Sequence, residues 1–587
     1  MPTIDRRKFI SGGLGAAGLL GLNAAMPAWA RGADIGHGLV RQGFDEVRGP
    51  RIDLDVRHSR TRIAGHSGHA IAVNGSVPGP LLRLKEGTTV QLAVHNHLGE
   101  DTSIHWHGLL VPFHLDGVPG VSFPGIAPGQ TFVAEFPVRQ SGTYWWHSHS
   151  GLQEQMGHYG AIVVDPAGPD PIEADHDYVM VLSEFSRLHP HTVFDKLKKG
   201  EGYFNYQQRH WTDDYPLTGE ERRMWARMRM MPTDILDVSA PNYTYLANGH
   251  AADDGLEYRF SPGQRVRLRI VNAGAMTFFN IRIPGLSFEV VAADGQPVVP
   301  VSVEELQIGP AETYDILVTP GSAEAYTIVG ESMDRSGMAV ATLVQRPGAR
   351  AEVPALRDPP LLTMADMGMA GHGEGGHGGH GGHGGHGDSS GYGGMDMGDM
   401  NMRDTSLLPP TVKAGPGVDM VAPNPVDRMG DPGIGLDKVD HRVLRYTDLR
   451  ALHPNKDNRT PSRLVEIHLT GNMERYMWSF DGQKFSAVSD DPIRFAYNER
   501  VRVKLVNDTM MAHPIHLHGH FFELVNGSPK GRQPLKHTLN VQPGGSAQFD
   551  LTADEPGDWA FHCHLLYHMH AGMFQIVTVA SPQGGQS

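Results

Sequence analysis

Hydrophobic and polar residues alternate in short runs along most of the 587-residue chain. Runs of Val, Ile and Leu are separated by clusters of Gly, Pro, Asn and Asp, at the spacing typical of β-sandwiches. Three copies of one pattern stand out: Asn74-Gly75 before Val90–Asn96, Asn248-Gly249 before Val266–Asn272, and Asp481-Gly482 before Val501–Asn507. Each copy predicts a tight turn followed by a half-buried strand. The chain is therefore predicted to be all-β, with three related sandwiches.

The repeats and the composition between them predict five segments. These are an export signal at 1–30, sandwiches at 45–167, 172–348 and 440–582, and a flexible Gly/His/Met-rich insert at 360–435. The insert is too poor in apolar residues to bury a core. The second sandwich carries Phe278–Ile281 where the outer two carry paired histidines, so we expect it to hold no metal.

The first thirty residues resemble an exported precursor. Asp5–Ile10 contains the twin arginines, a Gly-rich apolar stretch follows, and Ala28-Trp29-Ala30 supplies a small-X-small cleavage pattern. A membrane anchor would need about 20 strongly apolar residues, and neither this stretch nor a later one provides them. The sequence therefore predicts twin-arginine export to the periplasm and a mature protein that does not span the membrane.

Charge and composition narrow the possible functions. A formal net charge of -15 argues against a nucleic-acid partner, which would require a basic surface. Thirty-four His and 26 Met stand beside a single Cys, and imidazole and thioether are ligands that copper prefers. One Cys also excludes a disulfide within the chain, which leaves the thiol free to bind a metal.

Four His-X-His pairs carry the candidate metal chemistry. They are His105-Trp-His107, His147-Ser-His149, His516-Leu-His518 and His562-Cys-His564. Alternation along a strand places both imidazoles of a pair on one face, about 6–7 Å apart. That separation suits neighbouring ions in a cluster better than one ion. Surface or core histidines would explain one pair, whereas four equivalent pairs favour a cluster at the interface of the first and third sandwiches.

Cys563 lies within the last pair, and alternation turns its side chain to the opposite face. There it would meet His513, His568 and, beyond a short loop, Met573. Two histidines, a thiolate and a weak methionine are the ligand set of a blue-copper electron-transfer site. Cys563 would therefore accept the electron and pass it through its own backbone to the flanking histidines. The first section has Ser148 at this position and lacks the thiolate.

These motifs resemble the four copper-binding motifs of multicopper oxidases. Further stretches resemble the copper-resistance protein A branch of that family, namely Val77–Arg83, Asp116–Gly120, Ser150–Gln155 and Glu331–Gly337. The resemblance covers all three sandwiches and implies three cupredoxin-like Greek-key domains and four copper ions. It implies a type-1 copper at His513, Cys563, His568 and Met573, a type-2 copper at His105 and His516, and a type-3 pair at His107, His147 and His564 and at His149, His518 and His562.

The ligand sets predict oxidation of a one-electron donor coupled to reduction of dioxygen to water. Asp116 is the candidate proton donor near the cluster, although an Asp in a Gly/Pro-rich loop can also cap a turn. Some relatives carry a carboxylate after the type-1 histidine, where this chain has Met569, so a second proton relay is not identified.

Three hypotheses of the function are open, two of which differ in the electron donor. The branch resemblance, the export signal and the Met-rich insert favour Cu(I), with copper tolerance as the role. A laccase-like oxidase would use a small phenol and an open pocket beside the type-1 histidine. A non-enzymatic copper store would not require a blue site linked to a cluster. A copper-delivery protein is a further partner that the sequence leaves open.

Methionines outside the ligand set have two interpretations each. The insert either contacts copper or only links two domains. Packing of a short helix is the preferred account of the set at Met224, Met228, Met230 and Met231. Met473 and Met477 are either core residues or a site where Cu(I) enters.

Overall fold

The computed structural model describes residues 44–207, 217–228, 231–240, 242–368, 403–485 and 491–581. Within these ranges 31 strands form six sheets, and the all-β prediction with three cupredoxin-like domains is confirmed. The predicted export signal lies outside the described residues. No described helix is long and apolar enough to cross a membrane.

The chain divides into two compact units. The first unit comprises Met1–Val193, Ala240–Arg357 and His441–Val443, and its described part holds the first and second sandwiches. The second comprises Phe194–Ser239, Asp358–Asp440 and Leu444–Ser587, and its described part holds the third. Residues 194–239, predicted within the second sandwich, therefore belong to the unit that contains the third.

The first sandwich packs a sheet of order β3-β2-β5-β6 with one of order β1-β4-β8-β7. Its strands are β1 (Glu46–Arg48), β2 (Arg51–Ile63), β3 (His66–Val73), β4 (Leu81–Lys85), β5 (Thr89–Asn96), β6 (Thr131–Pro137), β7 (Gly142–His147) and β8 (Tyr159–Asp165). Alternation is plain in β2, where Ile52, Leu54 and Val56 are buried between more exposed neighbours. These residues face the core because a strand turns every second side chain inward.

The second sandwich has sheets of order β10-β9-β12-β17-β14-β15 and β11-β19-β18-β13-β16. Its strands are β9 (His176–Ser186), β10 (Tyr243–Ala247), β11 (Glu257–Arg259), β12 (Val266–Asn272), β13 (Phe279–Arg282), β14 (Phe288–Ala293), β15 (Gln296–Val303), β16 (Glu305–Ile308), β17 (Thr313–Val318), β18 (Ala325–Ser332) and β19 (Met338–Val344).

Strand β12 is buried along its whole length, although its sequence predicted a half-buried strand. Arg267 and Arg269 occupy the polar positions and are buried because Asp315 pairs with both, at 2.5 Å and 3.3 Å. Asp177 forms a second ion pair with Arg269 at 2.7 Å. Alternation of polarity misled here because paired charges can be buried where single ones cannot.

The third sandwich has sheets of order β22-β21-β24-β29-β26-β27, with β20 on β29, and β23-β31-β30-β25-β28. Its strands are β20 (Val426–Asp427), β21 (Leu464–Asn472), β22 (Met477–Phe480), β23 (Ile493–Phe495), β24 (Glu499–Asn507), β25 (His513–Leu517), β26 (Phe522–Leu524), β27 (Leu535–Lys536), β28 (Thr538–Val541), β29 (Gly545–Ala553), β30 (Gly557–Cys563) and β31 (Phe574–Val579).

Within the part of the chain that the structure describes, three short α-helices accompany the strands: α1 (Pro190–Leu197), α2 (Gly219–Met228) and α3 (Leu566–Ala571). The predicted helix in the methionine-rich stretch is α2. Thr218 and Glu221 begin it with a capping box, in which each side chain receives the other residue's backbone N–H, at 3.2 Å and 2.6 Å.

The three repeats use the same turn. Asn74, Asn248 and Asp481 all have positive φ, near 50°, and a glycine with positive φ follows each. The Asn or Asp side chain accepts a backbone N–H from the strand paired with the one before the turn. The donors are Asp55 in β2, Val181 in β9 and His468 in β21. These contacts explain why Asn-Gly and Asp-Gly recur, because few other pairs tolerate left-handed conformation at both positions.

Part of the predicted insert at 360–435 is described, and that part is packed, whereas the sequence predicted a flexible segment. Its low-complexity centre, with the His and most of the Met residues, lies outside the described residues. Residues 403–435 instead carry buried apolar side chains, including Val412, Val418, Val421 and Ile434, and β20 pairs with β29. This flank is packed because it supplies the apolar residues that the centre lacks.

Candidate metal centre

Two of the His-X-His pairs converge within the first unit. His105 and His147 pair through their backbones, with N···O distances of 2.8 Å and 3.2 Å. The four rings of His105, His107, His147 and His149 then lie close together, with centroid separations of 5.3–5.6 Å where they contact. A ring nitrogen of each of His105, His107 and His147 lies within 4.8 Å of the others.

We call the four rings of His105, His107, His147 and His149 the half-cluster of the first unit. The Nδ1 atoms of two of them have defined partners. His105 Nδ1 lies 2.7 Å from the Asp116 carbonyl oxygen and 3.2 Å from the Asp116 carboxylate. His147 Nδ1 lies 2.6 Å from the carboxylate of Glu154, which is 2% exposed. When Nδ1–H donates in this way, Nε2 carries the lone pair that binds a metal. The residues therefore fit a metal on the Nε2 side.

The other two pairs converge within the second unit. His516 on β25 and His562 on β30 are register partners, and His518 and His564 follow two residues after each. Ring centroids of the contacting pairs are 4.7–6.2 Å apart, and His518 Nε2 lies 3.0 Å from His562 Nε2. All four histidines are buried. Two Nε2 atoms that face each other so closely suit ligands of one metal site.

Backbone carbonyls orient two rings in this half as well. His516 Nδ1 lies 2.7 Å from the carbonyl oxygen of His537, and His562 Nδ1 lies 3.0 Å from that of Cys563. The same tautomer argument leaves Nε2 of each ring for a metal.

A second group of donors lies on the opposite face of β30. His513 Nδ1 is 3.5 Å from Cys563 Sγ and 3.3 Å from His568 Nδ1. All three residues are fully buried, and they form one group able to hold a metal. Met573 is also fully buried, and its carbonyl oxygen accepts the Cys563 N–H at 3.1 Å.

Local structure brings these residues together. Cys563 ends β30, α3 begins at Leu566 and carries His568, and Gly572 then turns the chain back into β31. Gly572 has a φ of +129°, and a Cβ there would lie 2.8 Å from the Trp478 carbonyl oxygen. Only glycine fits this return, which places Met573 beside Cys563.

Electrostatics favour a cation between these donors. Burial raises the pKa of the Cys563 thiol, and burial beside His568 lowers the pKa of His513 well below its ordinary value. Before a metal binds, the thiol therefore keeps its proton and His513 stays neutral. A bound cation would displace the thiol proton and satisfy all three donors, which is the chemistry of a blue-copper ligand set.

The outer edges of the two histidines are covered by polar groups. Asp237 Oδ2 lies 2.8 Å from His568 Nε2, and Thr509 Oγ1 lies 2.7 Å from His513 Nε2. The Tyr476 hydroxyl donates to the same Asp237 oxygen at 2.6 Å. Trp478 stacks on His568, with ring centroids 3.8 Å apart. Both ligands are thus fixed in orientation before a metal binds.

Sequence reasoning missed most of these supporting residues. Asp237 lies more than 300 residues before His568, and no spacing pattern links the two. Glu154 and Thr509 lie within a few residues of the histidine motifs, so proximity in sequence was a usable signal for them. Of the methionines left open, Met473 is buried and Met477 is half-buried, next to Trp478.

Comparison with known families agrees with this geometry. Three family models, each described as Multicopper oxidase, match residues 55–168, 210–348 and 458–583.

Individual relatives match nearly the whole chain. A copper resistance protein A homolog of Pseudomonas syringae pv. tomato is 46% identical, over 99% of this chain and 100% of the relative. Copper resistance protein A of Escherichia coli is 44% identical, over 98% and 99%. The crystal structure of Fet3p, described as a multicopper oxidase that functions in iron import, superposes with a TM-score of 0.62 at 18% identity. It covers 91% of this chain and 90% of that one.

Proposed function

The chain belongs to the multicopper oxidase family and is an oxidoreductase that uses oxygen, and we propose that its donor is Cu(I), oxidised to Cu(II) in copper tolerance. Its relatives at 44–46% identity carry the name copper resistance protein A. The observation that carries the proposal is the fully buried group of Cys563, His513 and His568, whose outer edge is covered.

We assign the ligands by the family pattern. His513, Cys563, His568 and Met573 hold the type-1 copper, His105 and His516 the type-2 copper, His107, His147 and His564 one type-3 ion, and His149, His518 and His562 the other. The convergence of donors within each unit supports this assignment of four copper ions.

Bound at these ligands, copper supplies one-electron oxidation of the donor at the Cys563 site and reduction of dioxygen to water at the histidine cluster. The protein contributes the connection. Cys563 is covalently joined to His562 and His564, which lie on the opposite face of the same strand segment. Its backbone therefore links the two sites by the shortest route that the chain offers.

Asp116 is our candidate proton donor. Its carboxylate is 1% exposed and lies 3.2 Å from His105 Nδ1, while its backbone N–H closes the preceding turn on Phe113. The side chain therefore lies beside His105, while the backbone N–H closes the turn. A buried carboxyl beside a ligand histidine can hold and release a proton where dioxygen is reduced.

Covering of His568 favours a small donor over a phenol. His568 is fully buried, and Asp237 and Tyr476 occupy the side on which its Nε2 lies. A phenol oxidase would present this edge to an aromatic ring. Met477 is half-buried next to Trp478, on the β21–β22 hairpin whose turn carries Tyr476. It adds a thioether there, and thioethers prefer Cu(I). A laccase-like phenol oxidase is the alternative, and a copper store without turnover is the third reading.

Oxygen uptake decides among these donors. The copper-loaded protein is given Cu(I), and separately a substituted phenol, with the rate compared to Cu(I) autoxidation without enzyme. We expect enzyme-dependent uptake with Cu(I) and little with phenol. Strong phenol turnover without cuprous activity would favour the laccase-like reading, and no uptake with either donor would favour a store.

Deletion of 371–402 tests the insert, whose residues lie outside the described ones. If the insert recruits copper, the deletion lowers cuprous turnover at low Cu(I) and copper tolerance in cells, while the blue absorption band stays. Unchanged turnover and tolerance would make it a linker.

Export to the periplasm through residues 1–30 is proposed on the twin-arginine pattern, and Arg6→Lys with Arg7→Lys should retain the protein in the cytoplasm on fractionation.

A further inference from the structure

Four lysines lie on the second unit, beside the segment that carries the type-1 ligands. Residues 194–199, at the end of α1, read Phe-Asp-Lys-Leu-Lys-Lys, and a further lysine follows β22. We call Lys196, Lys198, Lys199 and Lys484 the lysine patch. Within the part of the chain that the structure describes, no carboxylate forms an ion pair with any of them. The patch is therefore a local surplus of positive charge on a protein whose formal net charge is -15.

Aromatic rings accompany these lysines. Lys196 Nζ lies 4.8 Å from the centre of the Tyr203 ring, and Lys198 Nζ lies 4.9 Å from the centre of the Phe194 ring. Burial and the nearby charge of Lys198 lower the pKa of Lys484, so these two ammonium groups are neighbours. Tyr203 is 51% exposed. The patch thus presents charge together with aromatic surface, and aromatic residues are enriched where proteins bind one another.

On one side the patch adjoins α3, the helix that carries the type-1 ligand His568. The Phe194 ring, which lies beneath Lys198, packs edge-on against the ring of His570, with centroids 4.8 Å apart. His570 is exposed and lies two residues after His568. A partner bound over Lys198 would therefore stand close to the helix that holds the type-1 site.

On the other side the patch adjoins the return from α3 to β31. A Cβ at Gly572 would lie 3.0 Å from Lys484 Cγ, so the stem of the lysine packs on this glycine. Phe485 donates its backbone N–H to the Gly572 carbonyl oxygen at 3.2 Å, and its side chain is 38% exposed. Met573, the fourth type-1 ligand, is the next residue along the chain. A lysine and an exposed aromatic side chain thus lie beside the return that carries this ligand.

We propose that the lysine patch is the docking surface for an acidic protein that carries Cu(I) and gives its electron to the type-1 site. This inference rests on the proposed function and names the kind of donor that the site uses. Ammonium groups do not bind Cu(I), and their charge repels the bare ion, whereas the carboxylates of a carrier are attracted to them. Exposed rings of Tyr203 and Phe485 beside the lysines suit a protein surface better than a small anion. Each Cu(I) on the carrier becomes Cu(II) and gives one electron, and four electrons with four protons reduce one dioxygen to two waters.

A series of Cu(I)-loaded peptides tests the sign of the partner's charge and requires no variant. Three synthetic peptides share one Met-X-X-Met motif, whose thioethers bind Cu(I), and are flanked by Glu, Gln or Lys. Oxygen uptake by the copper-loaded full-length protein is measured at low peptide concentration and rising ionic strength. We expect the Glu peptide to be used at least about tenfold faster than the Lys peptide at low salt, with the difference lost at high salt. Equal rates at low salt would overturn the proposal.

Competition separates a protein partner from a small anion. The copper-free Glu peptide should inhibit uptake from its Cu(I)-loaded form, whereas free glutamate at the same total carboxylate concentration should not. Equal inhibition by free glutamate would show a small-anion site and overturn the assignment to a protein.

Charge reversal of the patch gives an independent readout. Lys198→Glu with Lys484→Glu should slow uptake with the Glu peptide by about tenfold and speed it with the Lys peptide, whereas a structurally damaged protein would be slower with both. Lys456→Glu with Lys530→Glu is the matched control, because it makes the same charge change on exposed lysines of the same unit outside the patch. Its rates should stay within about twofold of the wild type. Equal slowing in the two double variants would trace the effect to net charge and overturn the proposal.

Failure of this inference differs from failure of the proposed function. Uptake with all three Cu(I) peptides at rates that ignore their charge would reject the docking surface alone. Absence of uptake with free Cu(I) and with every peptide would reject the proposed function itself.

Discussion

The first and third sandwiches share a backbone frame but fill one position differently. In the third, the Cys563 N–H donates to the Met573 carbonyl at 3.1 Å; in the first, the Ser148 N–H donates to the His158 carbonyl at 3.0 Å. Both bonds span ten residues. Both returns are thus closed by the same backbone bond, although the third contains the α-helix Leu566–Ala571 and the first a 3-10 turn at Glu154–Met156. The side chains at the metal-binding positions also differ.

In the first sandwich, Ser148 stands at the position of Cys563 and takes part in side-chain hydrogen bonds. Gln153 Oε1 accepts from Ser148 Oγ at 2.9 Å and from Thr102 Oγ1 at 2.7 Å. Burial lowers the pKa of His158 to about 3, so this neighbour stays neutral. In the third sandwich, Cys563 Sγ and His568 Nδ1 both lie within 3.5 Å of His513 Nδ1. In the first sandwich, the neutral side chains of Ser148, Thr102 and Gln153 hydrogen-bond one another. In the third, a bound cation would give the thiolate and the two imidazoles a shared partner.

Cys563→Ser makes the third sandwich resemble the first and should have the largest effect. The hydroxyl does not supply a thiolate, so the blue band disappears and copper content falls by about one ion per chain. Donor-driven oxygen uptake should fall to the rate without enzyme, because no copper remains at this site to accept the donor's electron. Absorption spectra, metal analysis and uptake measure these changes. Ser148→Ala is the matched control, and loss of the blue band there would contradict the comparison.

Asp116→Asn tests the carboxylate beside His105. His105 and His516 each point Nδ1 at a backbone carbonyl 2.7 Å away, but Asp116 adds its side chain beside His105. If it donates protons, reoxidation of the fully reduced enzyme by dioxygen should slow by about 10²-fold. The blue band should persist, which stopped-flow absorption can record together with the rate. Unchanged reoxidation would remove Asp116 from the mechanism.

Asp237→Asn tests the carboxylate that supports His568. At the matching position of the first sandwich, Gln153 Nε2 donates to the Glu100 carboxylate at 3.1 Å. A carboxylate accepting His568 Nε2–H makes the imidazole a stronger electron donor and stabilises Cu(II). The amide should therefore raise the type-1 reduction potential, by about 59 mV for a tenfold change in the one-electron equilibrium.

Redox titration of the blue band measures this shift. Tyr476→Phe is the control, because it removes the 2.6 Å hydrogen bond to Asp237 but keeps the Asp237–His568 contact, and it should shift the potential less. Equal potentials in the wild type and Asp237→Asn would show that the carboxylate only positions the ring.

Much of this frame could be predicted from the sequence, and the exceptions have physical causes. Alternating strands and Asn-Gly turns are local signals, and so is the strand geometry that sets His562 and His564 opposite Cys563. Asp237, by contrast, reaches His568 through tertiary packing that no local pattern encodes. Burial of Arg267 and Arg269 depended on acidic partners from other strands.

The smallest expected effect is a gain of copper binding, obtained by introducing the missing copper ligands into the first sandwich. Thr102 and Ser148 both donate to Gln153 Oε1, at 2.7 Å and 2.9 Å, so these three side chains already converge. In the third sandwich, His513 lies 3.5 Å from Cys563 and 3.3 Å from His568. Thr102→His, Ser148→Cys and Gln153→His, made together in the Cys563→Ser background, should therefore restore a weak blue band. Copper binding should be partial, because the contacts of Asp237, Thr509 and Trp478 that orient His513 and His568 are not transferred together with the ligands. Absorption spectra and copper content measure the gain, with the same protein lacking Ser148→Cys as control. A variant that folds but binds no copper there would show that a ligand set on the shared frame does not suffice and that the surrounding hydrogen bonds and stacking are required.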